Sequence, residues 1–152
     1  IAKRAAMPLR IAGMIEPQHE AYFDEQIKPY LDSSNVTYLG LLSQRDLALQ
    51  YQRAAAVLFP ISWCEPCSMV GIEAQCSGTP IIGTRYGYLP ELIKHGETGF
   101  LVDSVDEATE AVQRLAEIDP CACRANVETR FSASVMAAGY EQVYRRLVEQ
   151  DA

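Results

Sequence analysis

The sequence predicts an α/β protein with an open, mostly parallel sheet that carries helices on both faces. Segments typical of strands and helices alternate at least five times along the 152 residues. The third strand-like segment, residues 56–61, is almost entirely apolar, which is typical of a parallel strand covered on both faces. With 49% hydrophobic and 22% charged residues, the composition is that of an ordinary globular domain with one core.

The first half of the chain contains two predicted strands, each followed by a helix. Residues 8–13 form a short strand that ends in a glycine, and residues 35–40 form a second one rich in β-branched and aromatic side chains. Between them, residues 18–31 place apolar side chains at helical spacing. Ser43 with Asp46 is a typical N-cap pattern for the helix that follows the second strand.

The second half continues the alternation after the third strand. Its predicted elements are a helix from Cys67 to Ser77 stopped by Gly78, a strand at 79–84, a short helix through Ile93, a strand at 100–102, a helix from Ser104 and a final helix to about Gln150. Ser104 with Glu107 forms a capping box. Parallel strands alternating with helices place a ligand at the carboxyl ends of the strands.

The charge balance and the cysteines limit the classes of function. There are 13 basic and 20 acidic residues, a net charge of −7, which disfavours nucleic acid as a partner. No apolar run approaches the roughly 20 residues that span a bilayer, and the opening residues are not a signal peptide. Five cysteines, an odd number, indicate reduced thiols and a cytoplasmic location.

Cys64 and Cys67 form a C-x-x-C pair, and three interpretations of it stay open. A zinc site lacks a second pair at suitable spacing, because Cys121 and Cys123 are separated by one residue. A redox pair has the expected place after a strand, but the proline lies at an unusual position. We therefore favour small apolar side chains and expect no metal site.

Residues 60–78 are the candidate functional stretch. An apolar strand runs into a loop and then into a helix, so a helix N-terminus lies at the carboxyl end of a strand. Free backbone N–H groups and the positive end of the helix dipole suit an anion there, above all a phosphate. Two carboxylates, Glu65 and Glu73, bracket the site, although either one alone could be a helix-capping or solvated residue.

Three segments of the chain, in the correct order, carry a resemblance to a known family. They are Pro60 to Pro80 with its Glu65-x7-Glu73 spacing, Pro90-Glu91 followed by Gly96-x-x-Gly99-Phe-Leu-Val102, and Arg130-Phe-Ser132 with the last helix. The pattern resembles the retaining family-4, or group 1, glycosyltransferases with the GT-B fold. The match is to their C-terminal half.

The resemblance implies that residues 1–152 are a single Rossmann-like domain, one half of a GT-B fold, that binds a nucleotide-diphospho-sugar donor. It also implies that the N-terminal acceptor domain and the first strand of the donor domain precede Ile1. The acceptor domain of the intact chain is then the partner of this one, and the fragment alone is expected to be inactive. No metal or other cofactor is expected.

The family roles transfer position by position. Glu65, the catalytic position, would contact donor-sugar hydroxyls, and Glu73 would accept hydrogen bonds from the ribose. The remaining donor-binding positions are Cys67, Ser68 and Met69 at the diphosphate, Gly40 and Leu41 near the base, and Gly13 at the border of the cleft. Carboxylates are good acceptors for paired hydroxyls, and helix N–H groups bind phosphate without a metal.

Two departures from the family pattern leave an alternative function open. Cys67-Ser68 stands where the family usually has Phe-Gly, and Gly87-Tyr88 stands where it often has Gly-Gly. The alternative is a non-catalytic module that binds nucleotide sugars or other partners. A nucleotide-sugar epimerase on the same architecture would need catalytic residues that the sequence does not show. A dehydrogenase is disfavoured because no Gly-x-Gly-x-x-Gly follows a strand.

Overall fold

The computed structural model describes residues 1–31 and 35–150. The strands are β1 (Leu9–Ile11), β2 (Val36–Tyr38), β3 (Val57–Phe59), β4 (Ile81–Thr84) and β5 (Gly99–Val102). The helices are α1 (Glu20–Tyr22), α2 (Gln44–Arg53), α3 (Met69–Cys76), α4 (Leu89–Leu92), α5 (Val105–Gln113), α6 (Pro120–Arg130) and α7 (Ala133–Gln150). Short 3₁₀ segments at Pro17–His19, Lys28–Tyr30 and Leu115–Glu117 and a π-helical turn at Phe23–Ile27 complete the described elements.

The strands pair in parallel, and they form two sheets. β1 pairs with β2, and β4 lies between β3 and β5 in a three-stranded sheet. The α/β class and the parallel pairing are confirmed, whereas the alternation alone suggested one continuous sheet. Within residues 1–31 and 35–150, no strand pairing connects β1 to β3. The alternation of strands and helices along the sequence identifies the strands. It does not show which strands are hydrogen-bonded neighbours in a sheet.

The three-stranded sheet has an apolar core on each face. Successive residues of a strand point to opposite sides, so Ile81 and Leu101 join one cluster while Ile82 and Phe100 join the other. The first cluster includes side chains of α2, α3 and α4, and the second includes side chains of α5 and α6. Helices therefore cover both faces of this sheet, as the sequence predicts.

Two helices differ from their predicted bounds. Residues 17–30 form short 3₁₀, α and π segments. Pro29, which has no N–H to donate, is the second residue of the last of them. α3 begins at Met69, two residues after the predicted start near Cys67. Ser68 is the N-cap residue, with extended φ and ψ of −109° and 129°, and the helix proper starts after it.

The predicted caps are confirmed. Ser43 accepts a hydrogen bond from the amide of Asp46, and Ser104 accepts one from the amide of Glu107, each at 3.1 Å. Gly78 stops α3 with a φ of +81°, a conformation that glycine adopts without steric cost. Local capping chemistry is therefore sufficient to locate these helix ends.

The last helix, α7, carries an apolar stripe that lies at the surface of this chain. None of its residues is buried. Its large apolar side chains exposed by 40% or more are Val135, Met136, Tyr140, Val143, Tyr144, Leu147 and Val148. No described helix combines the length and the apolar character needed to cross a membrane.

Candidate functional site

The candidate site is the loop from Pro60 to Ser68 together with the first turn of α3. β3 ends at Phe59 and α3 begins at Met69, so the helix N-terminus follows the carboxyl end of a strand, as predicted. The Ser68 side chain does not cap the helix, and the first turn carries no acidic residue. The first amide groups thus keep their positive character, which suits an anion.

Glu65 lies in this loop and is half-buried. Its carboxylate accepts a hydrogen bond of 3.0 Å from Nε1 of Trp63, and its backbone carbonyl accepts one of 2.9 Å from the amide of Tyr88. Trp63 itself is 57% exposed, so it does not fill the core. One carboxylate oxygen is thus held in place while the other is available to a ligand.

Glu73, eight positions later, is half-buried and lines a cavity of about 250 Å³ between α2 and α3. The lining residues are Gln44, Leu47, Ala48, Tyr51, Glu73, Cys76 and Ser77. The cavity offers apolar walls and a single carboxylate. This combination suits a ligand group with a flat or apolar body and hydroxyls at one end.

Gly13 and Gly40 meet at the carboxyl ends of β1 and β2. The amide of Gly13 donates to the carbonyl of Gly40 at 3.0 Å, and the Tyr38 hydroxyl donates to the carbonyl of Gly13 at 2.7 Å. Leu41, the next residue, is 76% exposed. Since three residues of chain span at most about 11 Å, Leu41 lies within that distance of Gln44 at the cavity.

The face of α3 opposite the cavity is anchored by a buried polar network. Gln75 accepts from Asn126 at 2.8 Å and donates to the Thr98 hydroxyl at 3.2 Å, and all three residues are at most 3% exposed. Asn126 also donates to the carbonyl of Leu92 at 2.9 Å. No buried side-chain nitrogen or oxygen of the described residues lacks a partner. Such a satisfied network fixes the helix that carries the candidate site.

The structure places the predicted residues in three groups, of which Gly13, Gly40 and Leu41 at the ends of β1 and β2 are one. Glu65 shares the loop and first turn with Cys67, Ser68 and Met69, whereas Glu73 faces α2. The sequence missed the roles of Trp63, Tyr51 and Tyr88, although a tryptophan two residues before Glu65 was a usable signal.

Cys64 and Cys67 are exposed free thiols. In the part of the chain that the structure describes, no three His, Cys, Asp or Glu side chains are grouped to hold a metal ion.

Because of Tyr51, the folded protein is expected to become less stable at alkaline pH. Burial, followed by the charge of Glu73 and hydrogen bonding to it, raises the pKa of Tyr51 from 10.0 to about 12. The folded state therefore keeps a proton that the unfolded state loses. This stabilisation is complete below pH 10 and is lost as the pH rises through 12.

The Tyr51→Phe variant tests this prediction in urea unfolding at pH 8 and pH 11. Its loss of unfolding free energy between the two pH values should be smaller than that of the wild type by about 1 kcal/mol. Tyr140→Phe, on an exposed side chain, is the matched control and should follow the wild type. Equal losses in Tyr51→Phe and the wild type would contradict the expectation.

Comparison with protein families finds one family model that covers most of the chain. The family model described as "Glycosyl transferases group 1" matches residues 2–129. A Corynebacterium diphtheriae protein named D-inositol 3-phosphate glycosyltransferase is 39% identical over 87 residues, which are 56% of this chain and 20% of that protein.

Solved structures share the fold over almost the whole chain. A sucrose-phosphate synthase from Thermosynechococcus elongatus matches 96% of this chain and 40% of its own, with a TM-score of 0.75 and 28% identity. Anabaena HepE in complex with UDP-glucose matches 95% of this chain and 43% of its own, with a TM-score of 0.71 and 21% identity. The chain therefore spans less than half the length of these similar proteins.

Proposed function

Because this chain belongs to the group 1 glycosyltransferase family, we propose that it binds the nucleotide-diphospho-sugar donor of a retaining glycosyl transfer. The observation that carries the proposal is the uncapped α3 N-terminus with a carboxylate on either side of it, Glu65 in the loop and Glu73 on the helix. Each of these groups matches one part of such a donor.

The diphosphate is assigned to the backbone at Ser68 and Met69, with Cys67 beside it. N–H groups at a helix N-terminus bind phosphate oxygens, and they stabilise the charge that develops on a departing diphosphate. These local N–H contacts matter because the protein's net charge of −7 does not attract anions. No metal is needed for this contact, and metal-independent binding is part of the proposal.

The sugar and the nucleoside are assigned to the two carboxylates. Glu65, whose orientation Trp63 supports, is proposed to accept hydrogen bonds from sugar hydroxyls. Glu73 is proposed to accept from the ribose, with the base near Gly40 and Leu41 and with Gly13 at the edge of the cleft. The similarity to a structure that holds UDP-glucose supports a nucleotide sugar as the donor.

In the proposed reaction, the bond between the sugar carbon and the diphosphate oxygen breaks, and the nucleoside diphosphate leaves. The acceptor hydroxyl oxygen bonds to the same carbon with its configuration retained, and its proton passes to the departing diphosphate. The acceptor is proposed to lie on an N-terminal domain, since the similar proteins are more than twice as long as the matched region. Four exposed free thiols favour a reducing compartment, and we propose the cytoplasm.

A second candidate is a nucleotide-sugar-binding module without transfer activity. The observation that favours it is Ser68, whose side chain stands at the N-cap beside the proposed diphosphate position. A side chain there restricts how closely backbone and phosphate can approach. The two candidates make the same prediction for nucleotide binding and opposite predictions for turnover.

Glu73→Ala is expected to weaken binding of the preferred nucleoside diphosphate by about 10- to 100-fold. Hydrogen bonds to a charged group are each worth about 1.5–3 kcal/mol, and the substitution removes the proposed ribose acceptor. Calorimetric titration of the chain with UDP, GDP and ADP identifies the preferred nucleotide and measures the loss.

Two variants serve as controls for that titration. Glu110→Ala removes an exposed carboxylate from α5 and should bind like the wild type. Glu73→Gln keeps the shape of the side chain but not its charge, and it should also bind more weakly. Failure of the wild type to bind any of the three nucleotides would overturn the proposed function.

A further inference from the structure

Tyr88 is tied to both ends of the loop that carries Glu65. Its amide donates to the carbonyl of Glu65 at 2.9 Å, and its hydroxyl donates to the carbonyl of Ser68 at 2.7 Å. Tyr88 is only 6% exposed and belongs to the same apolar cluster as Leu89 and Leu92. One buried residue thus connects the core to the start and to the end of the segment 65–68.

Two glycines make this close approach possible. A Cβ on Gly87 would collide with the carbonyl oxygen of Glu65 and would lie 2.5 Å from its amide nitrogen. A Cβ on Gly71, in the first turn of α3, would lie 2.5 Å from the Tyr88 hydroxyl and 2.6 Å from Cδ2 of Leu92. The phenol therefore occupies space that exists because residue 71 has no side chain.

The bond to Ser68 controls the direction of a neighbouring amide. The carbonyl of Ser68 and the N–H of Met69 belong to one planar trans peptide group, in which they point in opposite directions. Because the Tyr88 hydroxyl holds that carbonyl on the core side, the Met69 N–H points away from the core. Met69 is 60% exposed, so the surface beside this peptide group is open to an anion.

We propose that Tyr88 is a positioning residue for the donor diphosphate, and that it acts by holding the 68–69 peptide group with its N–H outward. This inference rests on the proposed function, because it needs a diphosphate at the α3 N-terminus. Tyr88 does not touch the donor. It prevents a rotation of the peptide that would present the Ser68 carbonyl, a hydrogen-bond acceptor, to the phosphate oxygens.

The Tyr88→Phe variant tests the proposal, since it removes only the hydroxyl and keeps the ring in the core. NMR titrations of the chain measure the dissociation constants of the preferred nucleoside diphosphate and of the matching nucleoside. We expect the diphosphate to bind about tenfold more weakly, whereas binding of the nucleoside changes less than twofold. If Tyr88 had a purely structural role, the substitution would weaken binding of the diphosphate and of the nucleoside to a similar extent.

The matched control is Tyr86→Phe, which removes the hydroxyl of a 50% exposed tyrosine two residues earlier and should leave both constants unchanged. Gly71→Ala supplies a second variant, because its methyl group displaces the Tyr88 hydroxyl while the hydroxyl itself is kept. It should also weaken the diphosphate selectively.

The outcomes separate the inference from the proposed function. If the wild type binds no nucleoside diphosphate, the proposed function fails and the inference fails with it. If the wild type binds, and Tyr88→Phe either keeps the affinity for diphosphate or loses both ligands equally, the inference alone is overturned. A selective loss in both Tyr88→Phe and Gly71→Ala supports it.

Discussion

Replacing Glu65 by alanine is expected to lower kcat/KM for cleavage of the nucleotide sugar by about 100-fold. A carboxylate that accepts two hydrogen bonds from sugar hydroxyls contributes roughly 1.5 kcal/mol through each, and about 3 kcal/mol corresponds to a 100-fold change in rate. The effect on turnover should exceed the effect on nucleotide affinity, because Glu65 is assigned to the sugar and not to the nucleoside.

The measurement is the release of nucleoside diphosphate from the donor by the full-length protein, with water taking the glycosyl group in place of the acceptor. Glu65→Gln tests the charge, and Trp63→Phe tests the support that the indole N–H provides to the carboxylate at 3.0 Å. Trp63→Phe should give a smaller loss than Glu65→Ala. Unchanged turnover in Glu65→Ala would reject the catalytic role.

Gly99→Ala is expected to be strongly destabilising, by roughly 3 kcal/mol. Gly99 opens β5 opposite Ile81 of β4 with a φ of +152°, a conformation that side chains rarely adopt. A Cβ there would collide with the carbonyl oxygen of Ile81 and lie 2.9 Å from its amide nitrogen. Backbone atoms at the centre of a sheet cannot move aside without loss of strand pairing.

Thermal unfolding followed by circular dichroism measures this effect, and the midpoint should fall by about 6–12 °C for a chain of this size. Gly139→Ala is the matched control, since Gly139 lies in the exposed helix α7 and a Cβ there would meet nothing within 4 Å. That substitution should stabilise the protein by roughly 0.5–1 kcal/mol. If the unfolding midpoint of Gly99→Ala falls by no more than the midpoint of Gly139→Ala shifts, the expected collision is contradicted.

Local patterns predicted the secondary structure with errors of a few residues. The strand at 56–61 is observed at Val57–Phe59, and the capping residues Ser43 and Ser104 accept the expected amide bonds. These features depend on neighbours along the chain. α3 starts at Met69, two residues after the predicted start near Cys67. The N-cap residue Ser68 accepts a hydrogen bond from Tyr88, twenty positions away, and sequence spacing carries no signal of such a contact.

The choice of the candidate site also depended on local sequence. Glu65 and Glu73 became candidates because a strand, a loop and a helix follow one another within a single stretch. The hydrogen bond from Trp63 is also local, whereas the contact between Tyr51 and Glu73 joins two helices and leaves no signal in sequence spacing.

The sequence by itself determined the α/β class, the order of the elements, the helix caps and the family. Each of these follows from residue types at short spacing. Only the tertiary structure decided which strands pair, that β1 and β2 form a sheet apart from the other three, and that Gly71 and Gly87 make room for Tyr88 beside the Glu65 loop. These features depend on contacts between residues that are far apart in the chain. The distances between such residues are set only when the chain folds.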